Sequence, residues 1–498
     1  MNTNSELERI VHDWLDVRVV DPPHGSLASA LEKADSTSQQ RHRWLHWFLD
    51  RGRGASVDAP DLGRQDRGRD HRFRLIFGAT VVAMGVAAIA LVATIGTRLD
   101  TTQPMVPAMN GVTHIVGSDG GDFATIGAAV AAAEEGDVVL VQPGIYEEAL
   151  IIDKAITLKG DVVPPREVVL TMPEDAPDPV VPLAPTDARA NAPGLPEHVP
   201  VGIQLIDTDA LVQDVVVIGR GDGIAILVHG GAPTLERVKL KHTNSPFMQT
   251  RLAGGLFVEG ESAAMVYEAE IWYRVRVSGS SAPVIRDSVL SAAGIAIQDG
   301  AAPVFIDNIV SGDCGCRDAA VLGGAYPTFR GNSFSYVGLD IIGAEGDGTG
   351  ALLEDNRFSG HEEHAITVDG TATVTALGNR FYGNQQALRV TSAGAEIRDN
   401  EFVGNWHTVQ LTDTDATFAD NTIRGGDYGI SVTSSGSPVI TGNLIENARV
   451  SGVFAGNGTS PSIVANEICG SSNNLLVAAD AAPSIGENEV CPDLAVAD

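Results

Sequence analysis

The sequence predicts an all-β parallel β-helix, and three observations carry that expectation. The first is a phrase repeated near the end, "SPVITGNLIEN", "SPSIVANEICG" and "APSIGENEVCP". Each copy sets an aliphatic residue three before an Asn and another two after it. The second is its period. The Asn recurs at Asn308, Asn332, Asn356, Asn379, Asn400, Asn421, Asn443, Asn466 and Asn488, in steps of 21 to 24 residues. The third is a further short alternating run in each copy, such as "GIAIQ", "HAITV", "QALRV", "HTVQL" and "YGISV". Alternation with period two marks a strand with one buried face.

Two or three such strands per copy, separated by Gly, Asn and Asp, leave no room for a helix. One copy cannot bury its apolar face alone, so the copies must stack as a coil, each strand pairing in parallel with its equivalent one turn on. Upstream the phrase weakens but continues at Ser288 in "APVIRDSVL", Glu270 in "AAMVYEAEIW" and Val238 in "APTLERVKL", making about a dozen copies. The Asn residues read as structural. Asn tolerates left-handed backbone at a tight corner, and its amide can bond the Asn of the next turn, about 4.8 Å away. Phe334, Phe358, Phe381 and Phe402, each two residues after an Asn, are expected to stack inside the coil.

The net charge is −31, and residues 1–100 hold 13 basic and 13 acidic residues, so the whole excess lies in residues 101–498. Such a domain repels nucleic acid and anionic membrane surfaces. A polyanionic glycan matches it poorly unless a divalent cation mediates.

Leu75 to Gly96 is 22 residues without a charge. As a helix it would be about 33 Å long, enough for a hydrocarbon core of about 30 Å. Seven Arg lie between Arg51 and Arg74, against Arg98 alone on the other flank. The positive-inside rule then places the N-terminus in the cytoplasm and exports the β-helix. The expected organisation is a cytoplasmic helical and linker segment at 1–74 and a single membrane span at 75–97. A linker at 98–112, the β-helix at 113–491 and a tail at 492–498 follow. The short amphipathic stretches within residues 1–50 could engage a cytoplasmic partner. The host is expected to be bacterial, with the β-helix outside the plasma membrane.

Cys469 and Cys491 occupy the same repeat position, three after Asn466 and Asn488. Equivalent positions on adjacent turns lie about 4.8 Å apart, within disulfide reach, so the two are expected to pair in an exported domain. Cys314 and Cys316 form a lone "CGC", which is no metal site without further ligands. No metal site is assigned, and the "GHEEH" string from Gly360 to His364 lacks zinc-helix spacing.

The stretch "HIVGSDGGDFATIGAAVAAAEEGDVVLVQPGIYEEALIIDKAITLKGD", His114 to Asp161, resembles the opening of right-handed parallel β-helix proteins of the pectin lyase-like superfamily. The resemblance covers roughly residues 112–491. It implies a right-handed coil, a capping α-helix over Thr125 to Glu134, an exit at Gly136–Asp137 and a corner at "PGIYEE". For chemistry it implies less. Neither the "NTD…DD…GHG…RIK" series of polygalacturonases nor the "YGFDPH" of epimerases is present. The Asp cluster and Arg of pectate lyases and the Gln and paired Asp of esterases do not stand out either. Fold alone does not assign an activity.

Alternation also says which residues face outward from the strand before each Pro–aliphatic phrase. In order they are Arg276, Ala296, Ala320, Asp340, Thr367, Arg389, Gln410, Ser431, Phe454 and Leu476. The preceding corner stacks His364, Gln386, His407 and Tyr428, with Glu363, Gln385, Trp406 and Asp427 one residue earlier. Aromatic faces stack on sugar rings, and Arg, Gln and Asp bond hydroxyls. The expected ligand site is therefore Trp406, His407, Arg389, Gln410, Tyr428 and Asp340, binding a glycan or cell-surface polysaccharide. The acidic surroundings favour a neutral sugar, or a uronate held through Ca²⁺ by carboxylates such as Asp340 and Asp369. Should the domain be catalytic, His364, His407, Arg389 and Asp369 are the candidate groups. Two readings follow, a membrane-anchored carbohydrate-binding or interaction scaffold, and a carbohydrate-active lyase, hydrolase or epimerase.

Overall fold

The computed structural model describes residues 111–492, apart from 118–119, 163–165, 182, 184–198, 222, 244–253, 292–293 and 313–318. The expected cytoplasmic segment 1–74, the span 75–97, most of the linker 98–112, Cys314 and Cys316, and nearly all of the tail lie outside the described residues. Among the described residues no helix is long and apolar enough to cross a membrane.

What remains is an all-β parallel solenoid. Three sheets of 16, 15 and 14 strands run its length, and the strands nearest each other in a sheet lie three apart in sequence. Sheet I holds strands such as Val304–Ile306 and Thr328–Arg330, and sheet II holds Ile309–Ser311 and Ser333–Ser335. Sheet III holds longer strands, His364–Gly370, Gln386–Thr391, His407–Thr412 and Tyr428–Thr433. The sheets define about 15 turns, more than the dozen copies legible in the sequence. The additional turns lie at the N-terminal end, where other residues replace Asn.

One short helix, Ile126–Ala132, lies beside the first turn and is shorter than the expected Thr125 to Glu134. The Thr125 side chain accepts from Ala128 N. Glu148, from the "PGIYEE" corner, accepts from Ile126 N and Gly127 N at 2.8 and 2.7 Å, satisfying amides that a helix leaves open.

The Asn residues form a continuous ladder at the corner between sheets I and II. Asn379 Oδ1 accepts from Asn356 N and Asn356 Nδ2 at 2.9 and 3.0 Å, and Asn379 Nδ2 donates to Leu353 O at 2.9 Å. Asn308 through Asn466 repeat this, each nearly inaccessible to solvent. The left-handed conformation belongs to another residue than expected. It falls one position earlier, at Asp307, Gly331, Asp355, Gly378, Asp399, Asp420 and Gly442, with φ between 52° and 68°. Asn is therefore kept for its amide alone. Asp and Gly fill most of these corners, with Ala465 before Asn466: a Cβ on Gly331 would lie 2.2 Å from the Asp307 carboxylate, and one on Gly442 2.3 Å from that of Asp420. The same reading corrects one upstream copy. Glu268 has the positive φ and Ala269 N bonds Ser288 Oγ, so Ala269 rather than Glu270 fills the Asn position.

Inside sheet II the Phe column packs ring on ring. Phe334–Phe358, Phe358–Phe381 and Phe381–Phe402 have centroids 4.9, 5.0 and 4.6 Å apart with planes within 9° of parallel. A second, shorter ladder stands at the corner between sheets II and III. Asn384 Nδ2 donates to Asn405 Oδ1 at 2.8 Å, and His361 continues the column with Nδ1 2.8 Å from Asn384 Oδ1 and Nε2 2.8 Å from Val337 O. The first His of "GHEEH" is thus an interior bracket, 4% exposed. Cys469 and Cys491 are joined by a disulfide across the last turn, with Cα atoms 4.9 Å apart.

Candidate functional site

Sheet III presents three outward columns. In Gln386–Thr391, residues Ala387, Leu388 and Val390 are buried, so Gln386, Arg389 and Thr391 are left facing out. His407–Thr412 and Tyr428–Thr433 repeat the pattern. The backbone register stacks His364, Gln386, His407 and Tyr428 in the first column. It stacks Asp340, Thr367, Arg389, Gln410 and Ser431 in the second, and Asp369, Thr391, Thr412 and Thr433 in the third.

Trp406, His407 and Tyr428 make an aromatic stair at the first column. The His407 ring lies 5.5 Å from that of Trp406 and 5.0 Å from that of Tyr428, stacked on both. Trp406 is 51% exposed, although its indole is fixed. Its Nε1 donates to Asp427 Oδ2 at 2.5 Å, and Arg449 Nε donates to Asp427 Oδ1 at 2.7 Å while a second guanidinium nitrogen also contacts the carboxylate. The hydrogen bonds from Arg449 hold the Asp427 carboxyl below the usual carboxylate range. Trp406, the Arg449 charge and nearby His407 add to this against the opposing effect of desolvation. Arg449 follows Asp427 by 22 residues, one turn of the coil, so the clamp was visible as a periodic acid–base pair.

Of the expected residues, the structure brings Trp406, His407 and Tyr428 into contact and sets Arg389 directly beside Gln410. Gln410 Oε1 accepts from Gln386 Nε2 at 3.0 Å. Asp340 stands two turns before Arg389, and His364 two turns before His407. Asp340 and Asp369 lie in different columns on consecutive turns. Among the described residues no group of three or more His, Cys, Asp or Glu is placed to hold a metal ion. The candidate acid–base groups His364, His407 and Asp369 are not joined by a hydrogen bond to one another in this arrangement.

The strip lies on the outer face of a right-handed parallel β-helix. The family model for right-handed beta helix regions matches residues 275–423. No curated protein matches the chain in sequence. The chain is also similar to solved structures at low identity. The A-module of an Azotobacter vinelandii mannuronan C-5 epimerase is 14% identical, with 74% of this chain and 94% of that one covered and a TM-score of 0.35. The catalytic unit of an alpha-1,3-glucanase from Streptomyces thermodiastaticus is 15% identical, covering 74% of this chain and 65% of that one, with a TM-score of 0.37. An alginate lyase is 12% identical over 72% of this chain and 86% of its own, with a TM-score of 0.36.

Proposed function

We propose that this protein is a membrane-anchored, exported β-helix that binds a glycan on the outer face of sheet III. The observation that carries the reading is the stair of Trp406, His407 and Tyr428 beside the hydrogen-bonding column of Arg389 and Gln410. Exposed aromatic faces stack on the apolar faces of sugars, and adjacent donors and acceptors fix their hydroxyls. The anchor is the apolar stretch 75–97, which sets the solenoid outside the cell. Binding rather than catalysis is favoured by how the charged groups are engaged. Asp427 is spent on Trp406 and Arg449, and His407 lies between two rings. An enzyme needs an acid, a base and a charge stabiliser converging on one point.

The test is a glycan array probed with the full chain, followed by titration of the best ligands. Trp406→Ala combined with Arg389→Ala is expected to abolish binding while leaving the far-ultraviolet circular dichroism unchanged. Equal binding by the double variant would reduce the strip to a solvated face.

A further inference from the structure

Many cations on the outside of this solenoid stand beside carboxylates. Arg237 meets Asp214, Lys239 meets Glu167, Arg330 meets Glu354, Arg424 meets Glu446 and Arg449 meets Asp427. Arg357 lies instead over the ring of Tyr382, 5.0 Å from its centroid. Arg389, in the middle of the strip, has no ion pair among the described residues. Its Nε is shielded from solvent without a hydrogen-bond partner. Two residues on along the same face, Thr391 Oγ1 is likewise shielded and without a partner. Shielded donors left unmet are costly, and more so when charged.

Around Arg389 the second column supplies uncharged neighbours, while in the third column the Asp369 carboxylate is the register partner of Thr391. Thr367 and Gln410 flank Arg389 on the adjoining turns, and neither is charged. Gln410 uses its oxygen to accept from Gln386, which leaves its amide nitrogen to donate. Asp369 and Asp340 lie on the N-terminal side, one and two turns away. On the C-terminal side Gln410, Thr412, Ser431 and Thr433 bring no charge to the second and third columns. An acceptor-rich group arriving from that side meets the outer guanidinium nitrogens and the Gln410 amide, and reaches the shielded Nε and Thr391 hydroxyl as the Arg389 side chain shifts.

We propose that Arg389, Thr391 and Gln410 form an oxyanion subsite, which binds a carboxylate, sulfate or phosphate substituent of the glycan directly, with no metal ion between. This rests on the strip being a glycan site, and it differs from an anion held through Ca²⁺. A guanidinium offers paired donors that match the spacing of two oxyanion oxygens, and the hydroxyl and amide complete the set.

The experiment uses the full chain in detergent, with an array of neutral glycans beside their carboxylated, sulfated and phosphorylated counterparts, in chelator and again in Ca²⁺. At least one charged counterpart is expected to bind about tenfold tighter than its neutral parent, in chelator, a difference of about 1.4 kcal/mol. Arg389→Gln is expected to erase that advantage and Arg389→Lys to keep part of it. Thr391→Ala is expected to lower it, while Trp406→Ala weakens charged and neutral ligands alike. Which counterpart wins identifies the group. Neutral and charged ligands bound equally, through Trp406, would overturn the subsite and leave the glycan strip standing. So would an advantage that survives Arg389→Gln or appears only with Ca²⁺. Absence of any glycan binding would overturn both readings.

Discussion

The imidazole of His407 lies flat on the ring of Tyr428, with centroids 5.0 Å apart and planes 5° from parallel. The two are 21 residues apart in sequence and are partners in the register of sheet III. Trp406 extends the stack, and Asp427 fixes its indole because Arg449 fixes Asp427.

The clamp has a pH signature. Asp427 titrates below an ordinary carboxylate, chiefly because Arg449 bonds it. Its folded value is depressed, so the clamp is complete above the ordinary Asp range, about pH 3.9, and is lost only as pH falls through that lower value. The fluorescence of Trp406, taken as the difference from a Trp406→Phe variant, should show the loss of the clamp only below about pH 4. In Arg449→Ala the change should move to higher pH. An unaltered titration in that variant would mean that Arg449 does not hold the carboxylate.

Phe381 is 1% exposed and stacked between Phe358 and Phe402 at 5.0 and 4.6 Å. Removing its ring leaves a cavity that the two neighbours cannot close, because the backbone ladder holds their turns apart. Phe381→Ala should lower stability by about 3–5 kcal/mol in denaturant unfolding. A loss below about 1 kcal/mol would mean that the turn relaxes around the gap.

The interior was legible because its two periods are simple. Side chains alternate along a strand and the Asn recur every 21 to 24 residues, so the register from Arg276 to Leu476 could be read directly, although Arg276, expected on the outer face, is buried. The corners were less legible. A left-handed residue can be Asp, Gly, Glu, Arg or Ala, so the signal at Asp307, Gly331, Glu268, Arg237 and Ala465 is spread over five residue types. The Asn beside it attracted the assignment. His361 was hidden for a similar reason, since an imidazole replaces an Asn amide only where both ring nitrogens meet interior oxygens. The Arg449–Asp427–Trp406 clamp spans three consecutive turns; its acid–base pair is one repeat apart, but nothing in the repeat marks the indole as its third member.

The proposed anchoring through residues 75–97 gives a prediction about sidedness. Protease added to intact cells should degrade a β-helix epitope, or trim it to a resistant core, and spare a tag at the N-terminus. A protected β-helix with a lost tag would reverse the orientation drawn from the seven Arg between Arg51 and Arg74.

The end of the solenoid is its weakest region, and Cys469–Cys491 closes it. Ile485 and Val490, on the last strands of sheets I and II, are 51% and 43% exposed, whereas their partners Ile463 and Ile468 are fully buried. Little apolar burial holds that turn in place, so the crosslink over a sequence separation of 22 residues matters more there than it would mid-coil. On the chain-entropy account a loop of that size stabilises by about 3 kcal/mol. Non-reduced peptide mapping of the purified protein should recover the linked pair. On reduction, amide exchange should quicken at Ser484–Ile485 and Glu489–Val490 and stay slow at the turns of Phe358 and Phe381, because stacked turns unfold from the ends. Uniform quickening along the coil would show that the bridge acts on the whole solenoid, and no change would show that the last turn holds without it.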